Sequence, residues 1–337
     1  MDRERGGNMN EIYYWSPGVQ FYVKEEELYV ERFRYGRQAA QFFPEFYYMT
    51  QNGAGTDDLE KRFETENKSL LKNLILDFIK KKILVCSVIT PKELFHSQTR
   101  LFENDYPETI RFVKEELEEF KKEQSRRELV KEGLTYILKD SHYCNDIIYR
   151  ETVRKFSHKT ITYHSLSRIL GALQNREDRK GTRYYPSAGG LYPVDVYVFV
   201  KPGRVEGVEQ GLYYYNPVIN GITFVDKGEN ITDKSQYITN QEIFASSAFT
   251  IYFLYNARCS MPKYSGMGYY YGILDCGIMT GLITRISEEE GIGTCSIGDM
   301  LYGKIESCFH LNKSQLFLHS MECGYKDEAE IEQPKEK

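Results

Sequence analysis

Arg183-Tyr184-Tyr185-Pro186-Ser187-Ala188-Gly189-Gly190-Leu191-Tyr192-Pro193 runs directly into Val194-Asp195-Val196-Tyr197-Val198-Phe199-Val200. The second half is a β-branched and aromatic run, the composition of a central strand. The first half sets small residues between two prolines at the mouth of that strand. A Ser-Ala-Gly-Gly backbone can approach a flat ligand closely, and the Ser187 hydroxyl adds a donor and an acceptor. A plain surface loop is the other reading of it. Working outward, Asn220-Gly221 between strand residues signals a hairpin over 218–223. Residues 249–255 read as a second buried strand, and 165–173 as a short amphipathic helix. Residues 273–286 predict a helix with apolar positions 273, 274, 278, 279, 282, 283 and 286. Gly277 and Gly281 stand four apart on it, where another helix could come close. Strands alternating with helices make this half of the chain α+β or α/β.

The first half reads differently. Residues 22–35 suggest two short strands around the polar turn Lys24-Glu25-Glu26-Glu27. A helix over 57–66 would be capped by Asp57, with Glu60 at the capping-box position. The next helix, 69–82, places Leu70, Leu71, Leu74, Ile75, Phe78 and Ile79 on one face and leads into the apolar strand Ile83-Leu84-Val85-Cys86. Together these predict a small α+β or winged-helix-like module. Residues 106–127 read as a charge-rich, solvated helix that connects the two domains, with a coiled-coil arm as the alternative reading, since the stripe (Ile110, Val113, Leu117, Phe120) is too short for three heptads. The expected organisation is a module over 1–140 that includes this connecting helix, a second domain over 141–326, and a polar tail over 327–337.

Length and composition bound the function. At 337 residues two domains are expected. Hydrophobic residues at 41% and charged residues at 28% describe a soluble globular chain rather than a disordered one. A net charge of −5 argues against a general nucleic-acid binder. No run of apolar residues is long enough for a membrane span, and Met1-Asp2-Arg3-Glu4-Arg5 lacks an apolar signal core. With seven scattered cysteines, these features point to a reducing, cytoplasmic setting. There is no CxxC pair and no HExxH, so no metal site is expected. Tyrosine is in excess, 28 residues, which serves either cores and strands or a planar ligand and an extended partner surface.

Three further stretches carry chemistry. In Arg150-Glu151-Thr152-Val153-Arg154-Lys155-Phe156, an extended backbone turns Arg150, Thr152 and Arg154 to one side. Two guanidinium forks and a hydroxyl suit a phosphate; a solvated basic edge is the bland alternative. Gly291-Ile292-Gly293-Thr294-Cys295-Ser296-Ile297-Gly298 follows a helix, so it is no dinucleotide fingerprint, yet backbone amides of such a turn can contact a ring system. Cys295 reads as a packed residue, because no base stands near it in sequence. In Lys263-Tyr264 an ammonium beside a phenol favours the phenolate, which makes the pair competent as a base when it lies in a site.

The order of these pieces resembles the SagB-type branch of the nitroreductase superfamily, the FMN-dependent azoline oxidases of thiazole- and oxazole-forming pathways. The resemblance covers roughly 146–325. Pro-Ser-Ala-Gly-Gly-Leu-Tyr-Pro together with the downstream Lys-Tyr is specific to the branch, whereas the arginine motif and glycine turn mark only the wider superfamily. It implies an α+β fold with a central, mostly antiparallel sheet flanked by helices. It also implies a homodimer with FMN at the subunit interface. Arg150, Thr152 and Arg154 would hold the FMN phosphate. Pro186, Ser187, Ala188 and Gly189 would line the isoalloxazine, with the turn Ser296, Ile297 and Gly298 on its other side. Lys263 and Tyr264 match the catalytic pair, which would take a proton while FMN takes a hydride and is later reoxidised by dioxygen.

The N-terminal region resembles the peptide-clamp modules of some members. The azoline would be carried on a ribosomal peptide, held by strand addition, or on the carrier domain of a nonribosomal peptide synthetase. The sequence departs from the pattern at Met267, Tyr270 and Ile278, where members often have Arg, Arg and His; this bears on how substrate or flavin is contacted. Two rival functions share the fold. A general NAD(P)H-dependent nitro- or quinone reductase would show rapid flavin reduction by NAD(P)H, and a non-catalytic scaffold subunit would hold no flavin.

Overall fold

The structure, a computed structural model, describes residues 11–63, 68–100, 108–130, 132–137 and 150–327. It divides into two compact units, Met1–Val85 with Lys92–Tyr143, and Cys86–Pro91 with Cys144–Lys337. The start of the chain, the 328–337 tail and the region around residue 144 lie outside the described residues.

The first unit is α+β. Its elements are β1 (Ile12–Trp15), β2 (Phe21–Lys24), β3 (Glu27–Val30), β4 (Phe33–Tyr35), α1 (Arg37–Gln51), β5 (Ala54–Gly55), α2 (Thr56–Arg62), α3 (Lys68–Lys80), β6 (Leu84–Val85), α4 (Pro91–Phe95) and α5 (Lys114–Ser125). Glu25 and Glu26 both take positive φ, 53° and 63°, the conformation of the tight turn that joins twisted strands. Where the sequence suggested two strands there are three. Glu31, at φ 51°, starts a second turn, and Arg34 of β4 bonds Glu27 of β3 at 2.7 Å. Gly55 rather than Asp57 is the N-cap of α2, and Asp57 and Asp58 fall in its first turn, where the helix dipole favours them. The expected end of that helix near residue 66 lies outside the described residues. α3 buries Leu71, Leu74, Ile75 and Phe78 but leaves Leu70 more than a third exposed, so its apolar face is narrower than the pattern suggested. The long charged helix is a 3₁₀ turn at Glu108–Arg111 followed by α5, which buries nothing.

The second unit contains α6 (Tyr163–Gly171), β7 (Val194–Val200), β8 (Gly211–Asn216), β9 (Gly221–Asp226), α7 (Ile238–Ser246), β10 (Phe249–Asn256), α8 (Ala257–Tyr264), α9 (Met267–Glu289), β11 (Ile292–Ile297) and β12 (Gln315–Tyr325). Six strands pair antiparallel in the order β11-β12-β10-β7-β8-β9. Alternation along β7 sends Val194, Val196, Val198 and Val200 to one face, against Leu166 and Ile169 of α6 and Met279 and Ile283 of α9. It sends Tyr197 and Phe199 to the other, against Phe244 of α7 and Phe309. A sheet covered on both faces explains why the strand reads as continuously apolar.

Three details depart from the sequence reading. The hairpin loop has four residues, 217–220, with Asn220 at φ 46° and its side-chain Oδ1 accepting from Tyr215 Oη at 2.9 Å. α9 begins at Met267, well before residue 273. The glycine-containing stretch 291–298 is mostly strand: Ile292 to Ile297 pair with β12, Ile292 to Cys295 are buried, and only Gly291 and Gly298 at its two ends lie beyond the ladder. No helix among the described residues is long and apolar enough to cross a membrane, and no group of His, Cys, Asp and Glu among them could hold a metal.

Candidate active site

Antiparallel pairing of β7 with β10 sets Val194 opposite Tyr255, so the loop that enters β7 and the helix that leaves β10 emerge at one end of the sheet. Asn256 N–H donates to the Pro193 carbonyl at 2.8 Å and closes that corner. The loop Pro186–Pro193 is wound tightly. Gly189, Gly190 and Tyr192 take φ of 63°, 66° and 48°, the left-handed region that costs a residue with a Cβ about 1–2 kcal/mol. Side-chain bonds hold it there. Tyr192 N–H donates to Ser187 Oγ at 2.9 Å, and Ser187 Oγ donates to Asp275 Oδ2 of α9 at 2.5 Å. The Ala188 N–H also donates to Asp275. Burial pushes the Asp275 carboxyl above its ordinary range, against the hydrogen bonds from Ser187 and Ala188. Arg183 Nη1 donates to Tyr185 Oη at 2.9 Å, and the Arg183 guanidinium carbon Cζ lies 4.7 Å from the Tyr192 ring centre. Burial pushes the Tyr185 phenol up to about 12.

Lys263 and Tyr264 form the last turn of α8, and they meet this loop at Gly189. A methyl group built on Gly189 would stand 2.5 Å from Tyr264 Oη and 2.8 Å from Lys263 Nζ. The position therefore needs glycine twice over, for its φ and for its lack of a side chain. Lys263 Nζ lies 4.9 Å from the Tyr264 ring centre, and the Tyr264 ring packs edge-on against Tyr271 at 5.2 Å. Two pieces distant in sequence are thus joined.

The arginine stretch lies on the outer edge of β11. Thr152 bridges Thr294 in parallel, and Val153 N–H donates to the Thr294 carbonyl at 3.0 Å. Val153 points inward, against Gly293, where a Cβ would fall 2.5 Å from its methyl. Arg150, Thr152 and Arg154 alternate outward and are exposed. Arg154 faces the Cys295 thiol, which it pulls down less than burial pushes up. Ser296 and Gly298 are exposed beside this strip, and Ile297 is buried. The arginine stretch and the glycine-containing stretch therefore also meet.

The two assemblies do not meet each other within one chain. Ser187 bonds Asp275, while Thr294 contacts Thr284 at 3.4 Å, nine residues further along α9. Nine residues are about 13.5 Å of helix axis and half a turn. Groups on the two sides of one flat ring stand about 7 Å apart, twice a van der Waals contact. α9 also carries an apolar face that no described residue covers: Met267, Tyr270, Leu274 and Ile278 are 40–51% exposed, and Cβ atoms at Gly277 and Gly281 would meet no described residue within 4 Å. Three of the four are the positions at which the sequence departs from the SagB-type pattern.

Sequence reasoning passed over Asp275, although a signal was present. It is the one charged residue in the run Met267-Gly268-Tyr269-Tyr270-Tyr271-Gly272-Ile273-Leu274-Asp275-Cys276-Gly277-Ile278-Met279.

Comparison with known proteins agrees with this architecture. The model of the nitroreductase family matches residues 147–325. A Methanocaldococcus jannaschii protein assigned to the nitroreductases is 28% identical over 172 residues, 51% of this chain and 86% of that one. A chain of the Escherichia coli microcin synthetase McbBCD complex with truncated pro-MccB17 bound superposes with a TM-score of 0.53 at 16% identity, covering 76% of this chain and 92% of that one. A structure from Ralstonia eutropha assigned to the nitroreductases follows at 0.47, with 19% identity over 58% of this chain and 88% of that one. The second unit, with its antiparallel sheet between helices and a separate α+β unit before it, belongs to the nitroreductase family of oxidoreductases.

Proposed function

We propose that this chain is an FMN-dependent azoline oxidase of the SagB type, converting a thiazoline or oxazoline ring to the aromatic thiazole or oxazole. The observation that carries the reading is the seating of Lys263 and Tyr264 against Gly189, which sets an ammonium and a phenol over the Pro-Ser-Ala-Gly-Gly loop. An azoline ring has an acidic carbon–hydrogen bond beside its imine and carbonyl. Tyr264, with Lys263 at its side, takes that proton. FMN, when bound, supplies the acceptor for the hydride that leaves the neighbouring ring carbon.

The residues present fit that cofactor. Arg150, Thr152 and Arg154 offer two guanidiniums and a hydroxyl on one exposed edge, with no ion pair to either arginine among the described residues, the donor set a phosphate needs. Pro186–Gly189 and Ser296–Gly298 would line the ring system. Because these two sets lie on opposite sides of α9, a flavin touched by both takes them from two copies of the chain. The apolar face of α9, with its two open glycines, is the surface through which a homodimer would form.

The reading that the azoline rides on a peptide or on a carrier-protein domain draws on the likeness to the microcin synthetase chain. The first unit would hold that partner. β2 pairs only with β3 among the described residues, which leaves one strand edge open to a peptide. Purified protein tests the cofactor first: it should be yellow, with FMN released on denaturation. A colourless protein that stays colourless after FMN is added would end the proposal.

A further inference from the structure

Asp275 is 3% exposed, lies in the N-terminal half of α9, and forms no ion pair among the described residues. A carboxylate in such a place is costly unless its oxygens are bonded. Its donors are the Ser187 hydroxyl and the Ala188 N–H, two consecutive residues of the loop that enters β7. The Ser187 oxygen also accepts from Tyr192 N–H, so one carboxylate and one hydroxyl tie both ends of a loop that is left-handed at Gly189, Gly190 and Tyr192. Gly189 follows Ala188 directly, and its Cα carries no group that could come between it and the heads of Tyr264 and Lys263.

We propose that Asp275 is the positioning residue of this site: by holding Ser187 and Ala188 it sets Gly189 against Lys263 and Tyr264, so that the proton-taking pair and the ligand-facing loop keep one geometry. The proposal rests on the reading of Lys263 and Tyr264 as the proton-transfer pair. Asp275 touches neither of them and acts only through the loop.

The test uses the full FMN-loaded chain, with rates expressed per bound flavin. Asp275→Asn keeps the volume and one acceptor but turns an NH₂ toward one of the two donors. Ser187→Ala removes both hydroxyl bonds, to Asp275 and from Tyr192 N–H, and leaves the carboxylate. Each should lower kcat for a thiazoline peptide by about 10²-fold, the scale of a misplacement near 1 Å, with KM unchanged. In a Tyr264→Phe background Asp275→Asn should cost little more, because groups acting through one another are not additive. Wild-type kcat in both variants, or losses that multiply with that of Tyr264→Phe, overturns the proposal. Should Asp275→Asn fail to fold, Ser187→Ala alone carries the test. A yellow wild type that leaves thiazolines untouched overturns the azoline reading instead. Positioning is then decided by the fluorine resonance of a fluorotyrosine at position 264: a shift in both variants supports it, and an unmoved resonance refutes it.

Discussion

The two ends of α9 treat their polar groups in opposite ways. At the Asp275 end, Ser187, Ala188 and Tyr192 are bonded within the chain, and the loop they belong to is wound into a conformation that only such bonds would hold. At the Thr284 end, the strip beside β11 is fixed by backbone bonds and by the buried side chains of Val153 and Phe156, and turns Arg150, Thr152 and Arg154 to solvent. The first end is complete in one chain and pre-organised, as a site that places reacting atoms must be. The second is left open, as a site that waits for an anion must be. On the proposed function, position comes from one end, and affinity for a charged ligand from the other.

The comparison is broken most severely at the complete end. Lys263→Ala and Tyr264→Phe should each lower thiazoline oxidation by about 10²–10⁴-fold, the range for loss of a general base. Flavin content should stay at the wild-type level, and the double variant should be little worse than the worse single one. Full thiazole formation by the double variant would move proton transfer to another residue.

Gly189→Ala puts a methyl 2.5 Å from Tyr264 Oη and strains the backbone at φ 63°. Displacing the pair by such an amount should cost about 10²-fold in kcat, again with flavin retained. An unchanged rate would mean that the contact at Gly189 is incidental.

At the open end the effect falls on binding. Arg154→Glu replaces a charge-assisted bond, worth about 1.5–3 kcal/mol, with a repulsion, so FMN affinity should fall by at least about tenfold. Equilibrium dialysis measures it. Undiminished affinity would place the phosphate elsewhere.

The smallest effect concerns the face between the ends. Gly277→Leu or Gly281→Leu stands where an added Cβ meets no described residue within 4 Å, so each folded subunit should tolerate it. Overpacking at a helix–helix contact costs about 1–3 kcal/mol per site, and sedimentation should show the dimer weakened by that amount. A wild type that sediments as a monomer while holding FMN contradicts the shared site.

Much of this was legible in the sequence, for reasons that differ from place to place. β7 was plain because every second residue is β-branched and both faces of the strand are covered. The loop and Lys263-Tyr264 could be named from residue type, yet that they touch depends on β7 and β10 being neighbours, which no local pattern specifies. The 291–298 stretch looked like a turn because of its three glycines. Gly293 instead marks a close approach of Val153 to a buried strand. Fully buried Glu322 was invisible in the same way. It accepts from Ser247 and Thr250 and lies 3.7 Å from Lys201, partners that only the assembled sheet brings together.

On the proposed function, the site oxidises an azoline rather than being reduced by a nicotinamide. Anaerobic mixing of the FMN-loaded protein with a thiazoline peptide, followed by flavin absorbance, tests it most directly. Bleaching with one thiazole formed per flavin is expected, and a flavin that stays yellow when NADH or NADPH replaces the peptide. Prompt bleaching by NADH or NADPH with no response to the thiazoline would contradict it.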